Sequence, residues 1–149
     1  MTRTISLAIE SRPECIELLG CALQGLCRLT GLPPADVAKI ELAAVEAVNN
    51  ALEHAYRNQP GRLVVVEFHL AADRVSLLVR EGGEAMDPRK LAAEEFAEPE
   101  PASPETWHAR GRGLAIIKSC MDSVEYQAQD GVNTLAMSRT LDGGGPQSG

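Results

Sequence analysis

Glu46, Asn50 and His54 stand four residues apart, so on a helix their side chains form a single row. A carboxylate one turn ahead of a carboxamide makes chemical sense as a site. The amide oxygen suits a hard cation such as Mg²⁺, which takes oxygen donors and few of them from protein. The carboxylate suits a general base or a water-holding group. Propensity argues against the row being incidental. Asn49 and Asn50 are adjacent in mid-segment, and each costs about 0.5–0.7 kcal/mol relative to Ala inside a helix. Glu53 and His54, taken singly, read as solvated helix surface.

Two glycine motifs lie further along. Glu81-Gly82-Gly83 directly follows a predicted strand, where glycine supplies a positive φ and lets a ligand approach the backbone. Gly111-Arg112-Gly113-Leu114 opens a predicted helix, whose free N–H groups can meet phosphate oxygens. Arg110 and Arg112 carry the planar fork that suits a terminal phosphate. Either motif alone is common, and their order behind the polar row is what carries information.

The elements that must position these residues follow from periodicity and punctuation. Thr4 to Ile9 alternates as a strand. Ser11, Pro13 and Glu14 signal a helix start, with Ser11 as the expected capping hydroxyl; that helix is expected to reach about Leu29. Pro33-Pro34 opens a second helix running to about Arg57, before the Asn58–Gly61 turn. Leu63–Leu70 and Val75–Arg80 read as a hairpin, and Val124–Ala128 with Thr134–Ser138 as another around Asp130-Gly131. Glu81 to Ala109 is expected as a long loop or lid, followed by a helix over about Gly111 to Met121. The resulting order, β-α-α-β-β-loop-α-β-β, predicts an α+β two-layer sandwich with a mixed, mainly antiparallel sheet and helices on one face. Residues 1–142 are expected to form one domain and 143–149 a flexible tail.

Composition narrows the function classes. The chain has 149 residues and a formal net charge of −7. No Lys/Arg cluster of the kind that neutralises nucleic-acid phosphates is present, so direct nucleic-acid binding is not expected. No apolar run is long enough to span a bilayer, and Met1 to Glu10 lacks a basic stretch followed by an apolar one; a soluble, cytoplasmic protein is expected. Cys15, Cys21, Cys27 and Cys120 lack metal or redox spacing and read as small apolar fillers.

The ordered combination resembles the GHKL ATPase family, in particular its short anti-sigma-factor serine kinases of the RsbW and SpoIIAB type. The resemblance runs from about Lys39 to Met137. Glu46-Ala47-Val48-Asn49-Asn50-Ala51-Leu52-Glu53-His54-Ala55-Tyr56 resembles that group's N-box, Glu81 to Pro88 its first glycine box, and Gly111 to Leu114 its second. The resemblance implies a Bergerat-type sandwich binding ATP and Mg²⁺ beneath a lid, with Glu46 as general base and Asn50 as the magnesium ligand. It also implies nucleotide contacts from His54, Glu81, Gly83, Arg110, Gly111, Arg112, Gly113 and Leu114, with Thr134 near the adenine. The implied partners are a STAS-domain anti-anti-sigma protein as substrate, a sigma factor, and a second copy of the chain. Two positions depart from the family pattern. Glu81 stands where the family has Asp, and Ala85 where it has Gly; a positive φ at Ala85 would cost about 1–2 kcal/mol. These departures keep open an alternative, a partner-switching module of the same fold that has lost efficient ATP binding.

Overall fold

The computed structural model of the chain describes residues 1–93 and 113–141. The elements are β1 (Arg3–Glu10), α1 (Pro13–Cys27), α2 (Pro34–Asn50) continued by one π turn (Ala51–Ala55), β2 (Leu63–Leu70), β3 (Arg74–Glu81), α3 (Pro88–Ala93), α4 (Gly113–Cys120), β4 (Ser123–Gln129) and β5 (Val132–Thr140). The expected tail and the lid beyond α3 lie outside the described residues. The short helix α3 occupies the start of a stretch expected as loop.

The five strands form one sheet in the order β1-β2-β3-β5-β4. Every pairing is antiparallel, so the expectation of a mixed sheet is corrected for the described strands. Alternation places the buried residues on one face: Val64, Val66 and Phe68 from β2, Val75, Leu77 and Val79 from β3, Leu135 and Met137 from β5. Ile16, Leu19 and Leu23 of α1, Ile40, Ala44 and Val48 of α2, and Ile116 and Ile117 of α4 complete that core. The fold is the expected α+β two-layer sandwich. In the final hairpin Asp130 (φ 54°) and Gly131 (φ 78°) turn with positive φ, as a two-residue loop matching strand twist requires.

Arg139 of β5 ties the helical layer together. It donates to the Cys120 carbonyl at the end of α4 (2.7 Å) and to Asp36 Oδ1 in the first turn of α2 (2.5 Å). The ends of the two helices that flank the polar row are therefore held by one side chain.

Ser11 does not cap α1. Its hydroxyl donates to the Gln59 carbonyl (2.7 Å) and accepts from the Arg62 amide (3.0 Å), and it is buried. The N-cap is Arg12, without a side-chain cap. The physical reason is that the 59–62 turn packs against the β1–α1 junction and its polar groups, removed from water, must be satisfied there. The cysteine expectation holds for Cys27 and Cys120, which are buried, but Cys21 is exposed.

Ser11→Ala leaves two backbone groups unsatisfied and is expected to destabilise the chain by about 1–3 kcal/mol, read from urea unfolding midpoints. Burial, with a smaller contribution from the Glu41 charge, pushes the Cys27 thiol from 9.0 up to about 11. The folded thiol keeps its proton where the unfolded one has lost it. Stability is therefore expected to fall as pH rises through about 9 to 11, with a shallower fall in Cys27→Ala.

Candidate functional site

The Glu46 end of the polar row faces protein. Glu46 is only 2% exposed, because α4 packs along that side of α2 while the apolar side meets the sheet. The contact is made possible by Gly113 at the start of α4. A Cβ there would stand 3.1 Å from Asn50 Oδ1 and 3.1 Å from Glu46 Oε2. Glycine thus lets the first turn of α4 lie directly on the carboxylate and the carboxamide, where the helix's positive end favours the negative charge. Asn50 Nδ2 is buried and has no hydrogen-bond partner among the described residues. An amide left unsatisfied in this way costs free energy in a purely structural role and marks a group available to a ligand.

Below Asn50 the helix widens into its π turn, and the Tyr56 amide bonds the Ala51 carbonyl (2.9 Å). Such turns concentrate at functional sites. Here the turn presents the Ala55 carbonyl to the glycine loop, where it accepts from the Glu84 amide (2.8 Å). A side chain at Gly83 would overlap that carbonyl and crowd the Tyr56 ring. The Tyr56 hydroxyl donates to the Leu63 carbonyl (2.6 Å) and accepts from the Gly82 amide (2.9 Å). Arg62 stacks 4.6 Å from the same ring and reaches the Gly82 carbonyl (3.1 Å). Arg57 pairs with Glu84 at 2.5 Å, though both are exposed and the pair adds little. The glycine loop is thus moored to the end of the helix that carries Glu46 and Asn50.

Neither Gly82, Gly83 nor Ala85 has a positive φ. The expected positive-φ role of the glycines is corrected to close packing, and Ala85 carries no left-handed strain. Glu81 is held in place: its Oε1 accepts from the Gly83 amide (2.8 Å) and from Asn133 Nδ2 (2.7 Å).

Between the π turn and the ends of β3, β4 and β5 lies a cavity of about 750 Å³, within the range of small-molecule sites. Asn50, His54, Glu81 and Leu114 line it. Glu46, Gly83 and Gly113 stand behind that lining, Gly83 bonded to Glu81 and Gly113 set against Asn50. His54 stays largely exposed at the rim. Thr134 is not brought to the cavity. It pairs with Arg80 in the register that puts Glu81 opposite Asn133, so alternation turns it to the open face of the sheet. Asn133, 4% exposed, lines the cavity in its place. The spacing of Asn133, Leu135 and Met137 carried that signal, since residues two apart share a face. Arg110, Gly111 and Arg112 lie outside the described residues.

Sequence reasoning also missed Tyr126 of β4, which lines the cavity and accepts from the Met86 amide (2.8 Å). Burial holds its hydroxyl above the usual phenol range; the Met86 bond opposes this and the Glu81 charge adds to it. Among the described residues no cluster of three or more His, Cys, Asp or Glu side chains suits a metal ion. A magnesium ion carried by phosphates does not need one, since it takes only one or two protein oxygens. A half-open cavity, an Asn50 Nδ2 available to donate to a phosphate oxygen, and the side-chain oxygens of Glu46 and Asn50 on one helix face fit a magnesium-bound nucleotide.

The family described as "Histidine kinase-like ATPase domain" matches residues 9–139. The serine-protein kinase RsbW of Bacillus pumilus (strain SAFR-032) is 28% identical over 139 residues, spanning 92% of this chain and 85% of that protein. RsbW of Bacillus subtilis (strain 168) is 25% identical, over 93% of this chain and 86% of its own. Among solved structures, the RsbU and RsbW domains of Rv1364c from Mycobacterium tuberculosis match with a TM-score of 0.65 at 19% identity. That match covers 93% of this chain, which spans about a third (32%) of the longer one. The SiaB–SiaC complex from Pseudomonas aeruginosa matches with a TM-score of 0.61 at 16% identity, covering 92% and 89% of the two chains. Both structural likenesses concern the fold. No helix among the described residues is long and apolar enough to cross a membrane.

Because a side chain at Gly83 meets the backbone of Ala55 rather than a movable side chain, Gly83→Ala is expected to destabilise the chain by about 1–3 kcal/mol. Faster hydrogen exchange at Gly82 and Glu84, whose amides anchor the loop, is the accompanying readout.

Proposed function

Because the chain belongs to the histidine kinase-like ATPase domain family, we propose that it is an ATP-dependent protein serine kinase working as a partner-switching regulator. Its substrate is an anti-anti-sigma protein of the STAS type, and it holds a sigma factor as the competing partner. It acts in the cytoplasm as a homodimer. The observation that carries the proposal is the buried Glu46 beside the half-buried Asn50, both set against Gly113 at the edge of the cavity. The RsbW kinases, alike over most of their length, support the same reading.

In this reading the bound nucleotide supplies the phosphoryl group and its magnesium neutralises phosphate charge. The residues of the chain position and polarise, which is most of what catalysis of this class requires. The Asn50 carboxamide oxygen is the protein's magnesium ligand. Glu46 accepts the proton of the incoming serine hydroxyl, directly or through a water. Glu81 receives the amino group of adenine, and Asn133 and Tyr126 close the same end of the cavity. The backbone at Gly113 offers N–H groups to phosphate oxygens, joined by Gly111, Arg110 and Arg112; His54 serves at the rim. Leu114 and Ala47, which line the cavity, would exclude water from it. The alternative of a module without nucleotide gains no support from Ala85, whose backbone is unstrained.

Asn50→Ala is expected to weaken Mg-ATP binding by at least about tenfold in titration calorimetry. Glu46→Gln is expected to retain nucleotide and lose transfer to a STAS partner by about a hundredfold or more. Failure of the unaltered chain to bind Mg-ATP below about 1 mM would overturn the proposal.

A further inference from the structure

Glu81 ends β3 and Asn133 is the second residue of β5, and the two face each other directly in the register of the sheet. Asn133 is one of three buried polar side chains among the described residues. Ser11 is occupied by the 59–62 turn and Glu46 by the α2–α4 contact, whereas the reading above uses Asn133 only to close one end of the cavity. Its amide nitrogen donates to Glu81 Oε1 (2.7 Å) and to the Gly83 carbonyl (3.1 Å). Both partners are acceptors, so the orientation of the Asn133 amide follows from the network. The Gly83 amide donates to the same Glu81 oxygen (2.8 Å). Two donors therefore converge on Oε1, the other carboxylate oxygen has no hydrogen-bond partner among the described residues, and Glu81 lines the cavity.

We propose that Asn133 is a positioning residue for base recognition, holding one oxygen of Glu81 so that the other is presented to the cavity as an acceptor for a purine amino group. The inference rests on the nucleotide reading of the cavity and deepens it. A glutamate has one more rotatable bond than an aspartate at the same strand end. Unanchored, its carboxylate would sample several directions and discriminate poorly between bases. Anchored by a buried donor and a backbone amide, it offers a single fixed acceptor. A site that accepts from an amine is penalised when a carbonyl oxygen takes the amine's place, because two acceptors then meet away from water. The arrangement also assigns a direction to an amide at position 81. In Glu81→Gln the two donors select the side-chain oxygen, and the –NH₂ group is turned into the cavity.

The test is calorimetry of Mg-ATP and Mg-ITP, which differ in carrying an amine or a carbonyl at purine position 6, against the full chain and its variants. The unaltered chain is expected to prefer ATP by about tenfold or more. Asn133→Ala is expected to reduce that preference to about threefold or less, through weaker ATP binding with ITP little changed. Glu81→Gln, which retains both donors, is expected to reverse the preference, and the reversal is expected to fade in Glu81→Gln/Asn133→Ala. A structural role alone would weaken both nucleotides by a common factor; that result, or an unchanged ratio in Asn133→Ala, overturns the inference while leaving the nucleotide reading intact. Should Asn133→Ala fail to fold, retention of the ATP preference in Glu81→Gln overturns it equally. Binding of neither nucleotide by the unaltered chain overturns the nucleotide reading, and this inference with it.

Discussion

A carboxylate taken out of water is costly unless charge or dipoles compensate it, and the burial of Glu46 between α2 and the first turn of α4 sets the terms for the whole helical layer. The carboxylate needs a close polar neighbour, and the start of α4 can come that close only because Gly113 has no side chain. Arg139, bridging the beginning of α2 and the end of α4, keeps the two helices in the relation that the contact demands. Glu46 and Asn50 are therefore presented on a rigid element, as a site that must hold geometry to a fraction of an ångström requires.

The same helix governs the other side of the cavity. Its π turn sends the Ala55 carbonyl and the Tyr56 ring toward the glycine loop, and the Glu84 amide, the Gly82 amide and the bare Cα of Gly83 all meet them. Two segments nearly thirty residues apart thus behave as one unit, and a displacement of the loop is felt at the end of the helix that carries the reactive row. The departures from the family pattern sit inside this unit. Ala85 is tolerated because the backbone there is unstrained, and Glu81 is accommodated because Asn133 and Gly83 take up one of its oxygens.

How much of this was legible beforehand depended on the range of the interactions involved. Strands, helices and hairpins were readable because their signals are local: apolar alternation in β2 and β3, Pro13 and Pro34 at helix starts, Asp130-Gly131 in a turn. The Glu46–Asn50 row was readable because helical spacing is also local. Ser11 was misread as a cap since its true partners, Gln59 and Arg62, are some fifty residues away and only packing brings them near. Thr134 was named from the family resemblance alone, and a one-residue difference along a strand moves a side chain to the opposite face of a sheet, which is where β5 carries it.

By itself, then, the sequence determined the element order apart from α3, the α+β class, the family and the polar row with its two glycine motifs, all of which are encoded within a few residues of one another. Tertiary structure alone decided which face of β5 meets the cavity, that Gly83 is required for close packing and not for a positive φ, that α2 ends in a π turn, and which oxygen of Glu81 is occupied. Each of those outcomes is a contact between segments distant in the chain. Such contacts are chosen by the joint requirement to bury apolar surface and satisfy every polar group removed from water, and that requirement has no local signature.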